Sequence, residues 1–193
     1  FMKALAKIEG MGARALEFAI LTATRTNETL KARWSEIDLK ANVWTIPGER
    51  MKAGREHRVP LPAAALAVLA TMRKAHPKSE WVFPAASLRT DREPTLSSMA
   101  LLMTLRRMKR ADLTAHGFRS TFRDWAGELT NFPREVAEQA LAHTLKDKTE
   151  AAYRRGDALE KRRRLMDAWG AYCATPATER GAVVALRRVT ETA

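Results

Sequence analysis

One change of hydrophobic period constrains this chain more than any other feature. Across residues 12–24 the apolar side chains Ala15, Leu16, Ala19, Ile20 and Ala23 recur at steps of three and four, the spacing that lines and buries one face of an α-helix. The period then falls to two. Ile37-Asp38-Leu39 and Val43-Trp44-Thr45-Ile46 flank the polar turn Lys40-Ala41-Asn42, and Arg58-Val59-Pro60-Leu61 follows as a third strand. Pro60 has no N–H to give a ladder, so that strand belongs at an edge. After Pro62 the helical period returns, with Leu66, Leu69 and Met72 on one face and further helices expected over residues 96–108, 118–129, 134–141, 148–155 and 159–172. The expectation is a mainly α fold with a small three-stranded antiparallel β-sheet inserted in its N-terminal third.

A chain of 193 residues with 46% hydrophobic side chains is one domain's worth and can bury roughly 70% of its unfolded surface. Lys and Arg number 34 against 22 Asp and Glu, a net charge of +12, which points to a polyanionic partner, nucleic acid being the commonest. No apolar run approaches the ~20 residues of a membrane span, and no secretory signal opens the chain. The single Cys173 excludes an internal disulfide framework and any multi-cysteine zinc site, which suits a reducing cytoplasm. Phe1 is no translation start, so a longer protein with upstream domains is expected. The Thr175-Pro176 break separates residues 1–173 from a tail, 174–193, where residues 181–189 could form a short helix needing a partner surface.

The stretch Thr114-Ala115-His116-Gly117-Phe118-Arg119-Ser120-Thr121-Phe122 is the most informative for chemistry. His116 and Arg119 stand three apart, with Thr114 as N-cap, so both are expected in a first helical turn, where backbone N–H groups favour an anion and an Arg fork grips phosphate. Alone, such a pair is more often a solvated helix face. Other residues carry bland readings of the same kind: Arg25 as a cation at a helix C-terminus, Lys52 as a solvated loop lysine, His143 as a satisfied core histidine, Tyr153 as a half-buried amphipathic ring. Tyr172, at helical spacing from Leu165 and Trp169, reads as core.

In order and spacing, Arg25, Lys52, His116, Arg119, His143 and Tyr153 resemble the tyrosine recombinases. The words around them, Leu21-Thr22-Ala23-Thr24-Arg25-Thr26-Asn27-Glu28, Met51-Lys52 before Val59-Pro60-Leu61, His116 to Phe122, Leu141-Ala142-His143 and Ala151-Ala152-Tyr153-Arg154-Arg155, resemble prophage integrases from about residue 16 to 171. Family members often carry Gly two before Arg25 and immediately before His143; Ala23 and Ala142 stand here, and adjusted turns are expected.

The resemblance implies the catalytic-core fold of DNA breaking–rejoining enzymes and a site-specific recombinase that works through a 3′-phosphotyrosyl intermediate. Tyr153 would be the nucleophile and His116 a general acid/base. Arg25 and Arg119 would stabilise the phosphorane, His143 would hydrogen-bond a non-bridging oxygen, and Lys52 would protonate the leaving 5′-oxygen. It implies no cofactor and no metal. The partners implied are double-stranded DNA at attachment sites, a tetramer on DNA in the full-length protein, and an excisionase and DNA-bending host factors, in a bacterial, nucleoid-associated setting. Arm-binding and core-binding domains of the family are absent from this chain. Arg50, Arg55, Arg106, Arg107, Lys109, Arg110, Arg154 and Arg155 are candidate DNA contacts, with Lys161 to Arg164 adding to the basic run. A type IB topoisomerase-like relaxation, a non-catalytic DNA-binding remnant and a metal-dependent nuclease are the competing readings.

Overall fold

The computed structural model describes residues 1–85, 95–143 and 157–175. The helices are α1 (Met2–Leu5), α2 (Met11–Thr22), α3 (Thr26–Leu30), α4 (Ala63–Ala75), α5 (Ala100–Arg107), α6 (Gly117–Glu128), α7 (Arg134–Ala140) and α8 (Leu159–Ala174), with β1 (Ile37–Asp38), β2 (Val43–Ile46) and β3 (His57–Pro60) between α3 and α4. The expected helices over residues 148–155 and 181–189 lie outside the described residues.

The second helix is the axis of the molecule. It packs against α4, α5 and α8 and buries Leu16, Phe18, Ile20 and Leu21, more of its circumference than a single amphipathic stripe would cover. Small residues make this possible. A Cβ added at Gly12 would lie 2.8 Å from Thr104 Oγ1 and 3.1 Å from the Ala100 carbonyl, so α5 sits on a notch in α2 that any larger residue would close. Phe18 reaches Trp44 and Phe83, each at a centroid distance of 5.5 Å. On the other side Trp169 of α8 meets Phe122 edge-on at 5.4 Å and Trp125 at 5.0 Å. Its indole N–H donates to the Ile20 carbonyl at 2.8 Å. Tyr172 stacks on Trp169 at 5.6 Å, the packing role its spacing indicated.

The sheet runs β1-β2-β3, all antiparallel. Trp44 and Ile46 alternate on the buried face of β2, opposite Val59 and His57. Asp38 Oδ1 accepts the Lys40 and Ala41 N–H groups at 2.9 Å each, which closes the β1–β2 turn. Pro60 lies on the edge strand β3, as its missing donor requires. At the far end of β3, buried Arg162 donates to the Asp157 carboxylate at 2.9 Å and to the Arg58 carbonyl; Arg58 grips the same carboxylate at 2.8 Å. This three-residue clamp fixes the start of α8 to the sheet.

Candidate functional site

Arg25 does not end the first long helix, as its position after an apolar run suggested. Helix α2 stops at Thr22, Ala23 turns with φ +52°, and Arg25 is the residue from which α3 begins. Glu28 explains the restart: its buried carboxylate accepts the Arg25 backbone N–H at 2.8 Å and the Arg25 guanidinium at 2.7 Å, satisfying a helix N-terminal donor while orienting the side chain. Beneath this turn three hydroxyls form a buried chain, Thr22 to the Phe18 carbonyl at 2.7 Å, Thr22 to Thr24 at 2.9 Å and Thr24 to Thr29 at 2.8 Å. The Arg25 backbone is thus tied on both sides.

Lys52 lies exposed on the β2–β3 loop. The base of that loop is pinched, since a Cβ at Gly48 would fall 2.8 Å from the Gly54 carbonyl oxygen. Arg50 braces it from within. Its Nη2 meets Glu36 at 2.5 Å, its Nη1 donates to the Glu28 carbonyl at 3.2 Å, and Glu36 also accepts the Trp44 indole N–H at 2.9 Å. Arg50, a candidate DNA contact from the sequence, directs both Nη groups to these acceptors and holds the lysine loop against α3 while still lining the cleft.

The third piece is the N-terminus of α6. Thr114 Oγ1 accepts the Gly117 N–H at 3.0 Å, and His116 sits just before the helix and is exposed, while Arg119 is in the first turn and only 5% exposed. The His116 carbonyl accepts the Arg119 N–H at 3.0 Å, so the exposed ring and the buried guanidinium belong to one turn. Arg119 donates one Nη to the Ala23 carbonyl and the other to the Leu141 carbonyl at 2.6 Å. Its Nε is buried with no acceptor among the described residues. Burial first, and the Arg25 charge next, push the Arg119 guanidinium down to about 10, while Glu28 works in the opposite direction; it stays a cation at neutral pH.

His143 follows α7 and is drawn to the same place by carbonyls rather than by its ring. Arg119 holds Leu141, and Arg25 Nη2 lies 3.5 Å from the Ala142 carbonyl. Two arginines from separate elements thus grip consecutive residues of the turn that presents His143. The ring Nδ1 pairs with Glu138 at 2.6 Å.

Arg25, Glu28, Arg50, Lys52, Ser98 and His116 line one open cleft of about 500 Å³, with Arg119 behind it and the His143 turn fastened to both arginines. Tyr153, Arg154 and Arg155 lie outside the described residues. Of the other basic candidates, Arg55, Arg106, Arg107 and Lys109 are exposed, whereas Arg110 is engaged by the Asp112 carboxylate at 2.8 Å. Sequence reading passed over three residues around the site. Glu28 is betrayed only by its three-residue spacing from Arg25, Glu138 by nothing periodic, and His57, donating Nε2–H to the Ala140 carbonyl at 3.2 Å, only by sitting in a strand.

A sequence model of the phage integrase family matches residues 1–160. The prophage integrase IntA of Escherichia coli (strain K12) is 40% identical over 151 residues, 78% of this chain and 36% of that protein. The integrase of Enterobacteria phage P4 is 29% identical over 190 residues, 89% of this chain and 43% of its own length. The chain thus spans well under half of these curated relatives. Among solved structures, an integrase from mycobacterium phage Brujita superposes with a TM-score of 0.63 at 18% identity, covering 92% of this chain and 58% of that one. A lambda integrase dimer bound to a COC′ core site gives 0.54 at 22% identity, covering 81% and 45%. These likenesses show that the fold is shared.

Proposed function

Since the chain belongs to the phage integrase family, we propose that it is the catalytic domain of a site-specific tyrosine recombinase, residues 1–173, followed by a tail. The observation that carries this reading is Arg119. A buried guanidinium that spends both Nη groups on carbonyls and whose Nε, beside the Arg25 charge, has no acceptor among the described residues is a costly arrangement unless an anion completes it.

In this reading the anion is a DNA phosphodiester. The Tyr153 oxygen attacks phosphorus as the bond to the 5′-oxygen breaks, giving a 3′-phosphotyrosyl link and a 5′-hydroxyl; attack by a 5′-hydroxyl reverses the step and conserves the bond. A phenol of pKa about 10 is one part in a thousand ionised at neutral pH, so its deprotonation costs roughly 4 kcal/mol that the site must supply. His116, exposed at the rim of the cleft, takes that proton. Arg25 and Arg119 meet the charge that grows on the non-bridging oxygens, already fixed in place before substrate arrives. Lys52 protonates the leaving 5′-oxygen from its loop, and His143 donates to a non-bridging oxygen. Double-stranded DNA at attachment sites is the substrate, a tetramer on DNA the working assembly, and an excisionase and DNA-bending host proteins the accessory partners, in the bacterial nucleoid.

The test is covalent capture. Incubated with supercoiled plasmid DNA and a chelator, the chain is expected to form a detergent-stable protein–DNA adduct that Tyr153→Phe abolishes. An adduct surviving in the Phe variant removes Tyr153 as nucleophile, and none from the unmodified chain overturns the recombinase reading.

A further inference from the structure

The C-terminus of α7 closes with two backbone bonds of a recognisable kind. His143 N–H donates to the Glu138 carbonyl at 2.9 Å and Ala142 N–H to the Gln139 carbonyl at 3.0 Å, with Ala142 left-handed at φ +49°. This is a Schellman motif, which brings the side chains at the first and last of its six residues together. Those positions commonly make an apolar contact. Here they hold Glu138 and His143, and the contact is a 2.6 Å hydrogen bond between a carboxylate oxygen and ring Nδ1. The second carboxylate oxygen accepts Arg123 Nε of α6 at 2.7 Å. Glu138 is mostly buried and His143 is 40% exposed, so the carboxylate forms the fixed half of the pair. Burial raises its pKa, but hydrogen bonds from His143 and Arg123 outweigh that and hold it below the ordinary carboxylate value.

We propose that Glu138 is the positioning residue of His143: through the Schellman turn and the Arg123 brace it accepts the Nδ1–H hydrogen bond, fixes the ring plane and commits the opposite nitrogen, Nε2, to the scissile phosphate. The inference rests on the role given to His143 above. A ring that donates Nδ1–H to Glu138 can donate Nε2–H to phosphate only as the doubly protonated cation. The Glu138 carboxylate is the counter-charge that stands 2.6 Å from that ring and sets its orientation. Arg123 keeps Glu138 from swinging out to solvent and ties that choice to α6, the helix carrying Arg119.

The test uses the whole chain, supercoiled plasmid DNA and two readouts. Long-range proton–nitrogen NMR of the His143 ring is expected to show a protonated, hydrogen-bonded Nδ1, lost in Glu138→Ala and kept in Glu138→Gln, whose amide oxygen can accept the same proton. The initial rate of plasmid relaxation is expected to fall roughly tenfold in Glu138→Ala, the middle of the range for coupled neighbours, and less in Glu138→Gln. In a His143→Ala background Glu138→Ala should cost nothing further. Equal losses in both backgrounds, at matched thermal stability, would show a merely structural carboxylate and overturn the inference, as would ring nitrogens indifferent to Glu138. Relaxation by the unmodified chain that His143→Ala leaves unslowed refutes the role of His143 and with it this one. An unmodified chain that forms no adduct and relaxes nothing refutes instead the recombinase reading beneath both.

Discussion

Ala23 and Ala142 occupy the two turns whose carbonyls the arginines hold, and both are left-handed, at φ +52° and +49°. A Cβ there costs roughly 1–2 kcal/mol, and glycine removes that strain while losing part of it again to a freer unfolded chain. Ala142→Gly is therefore expected to stabilise the fold by about 0.5–1 kcal/mol in urea unfolding; a loss of stability would show that the methyl group's packing outweighs the strain. The glycine that related sequences often carry at these places thus answers a backbone demand. His57 makes a second residue-scale prediction. Burial first, and then the Arg162 charge, push it from 6.5 down to about 4, so the folded state keeps the ring neutral while the unfolded chain takes up a proton below about 6.5. Its contribution, on the order of 3 kcal/mol, is present above that pH and is lost as pH falls toward 4. His57→Gln, which keeps an N–H for the Ala140 carbonyl and does not titrate, should flatten this part of the stability–pH curve. An unchanged acid limb would assign the titration to other groups.

The restart between α2 and α3 is the element on which the site depends most. Thr24→Val keeps the shape and removes the middle hydroxyl of the Thr22–Thr24–Thr29 chain, leaving its buried neighbours short of a partner. The expected cost is about 1–3 kcal/mol in chemical denaturation, with slower adduct formation because the Arg25 turn loosens. A variant as stable as the parent would mean that the hydroxyls re-pair without Thr24. The same element marks where sequence reading reached its limit. The long helices α2, α4, α6 and α8 are legible because each repeats its period over two turns or more, the strands because β-branched and aromatic residues flank polar turns, and the edge placement of Pro60 because it lacks an N–H. Helix α3 is not, because five residues give no period and Arg25 is an unusual residue to start a helix. The helix expected from residue 96 begins only at Ala100, after a turn in which Ser97 Oγ accepts the Met99 N–H at 3.1 Å. Six candidate residues could be named from local words, five of them among the described residues, but Glu138 could not: a separation of five means contact only if a helix ends in between, which is what the left-handed Ala142 accomplishes.

For the molecule as a whole, and on the proposed function, the net charge of +12 overstates the cationic surface left for a polyanion such as DNA, because some cations are structural. Arg162 is 1% exposed and clamps α8 to β3, and Arg50 is paired with Glu36. Arg55, Arg106 and Lys109 are exposed, and each that meets a phosphate should release counterions with a slope of about −0.9 in log K against log salt. Substituting one of these three by Ala is expected to lower the magnitude of the salt slope by up to about one while leaving the melting temperature in place. Arg162→Ala should act in the opposite way, lowering stability by about 1–3 kcal/mol through the lost clamp and the part-buried Arg58 carbonyl left without its donor, with the salt slope of the folded fraction unchanged. Binding titrations at several salt concentrations beside thermal melts separate the two classes. If Arg55, Arg106 and Lys109 all leave the slope untouched, the DNA runs over another face of the molecule, and the cleft holding Arg25, Lys52 and His116 must be approached from a different side.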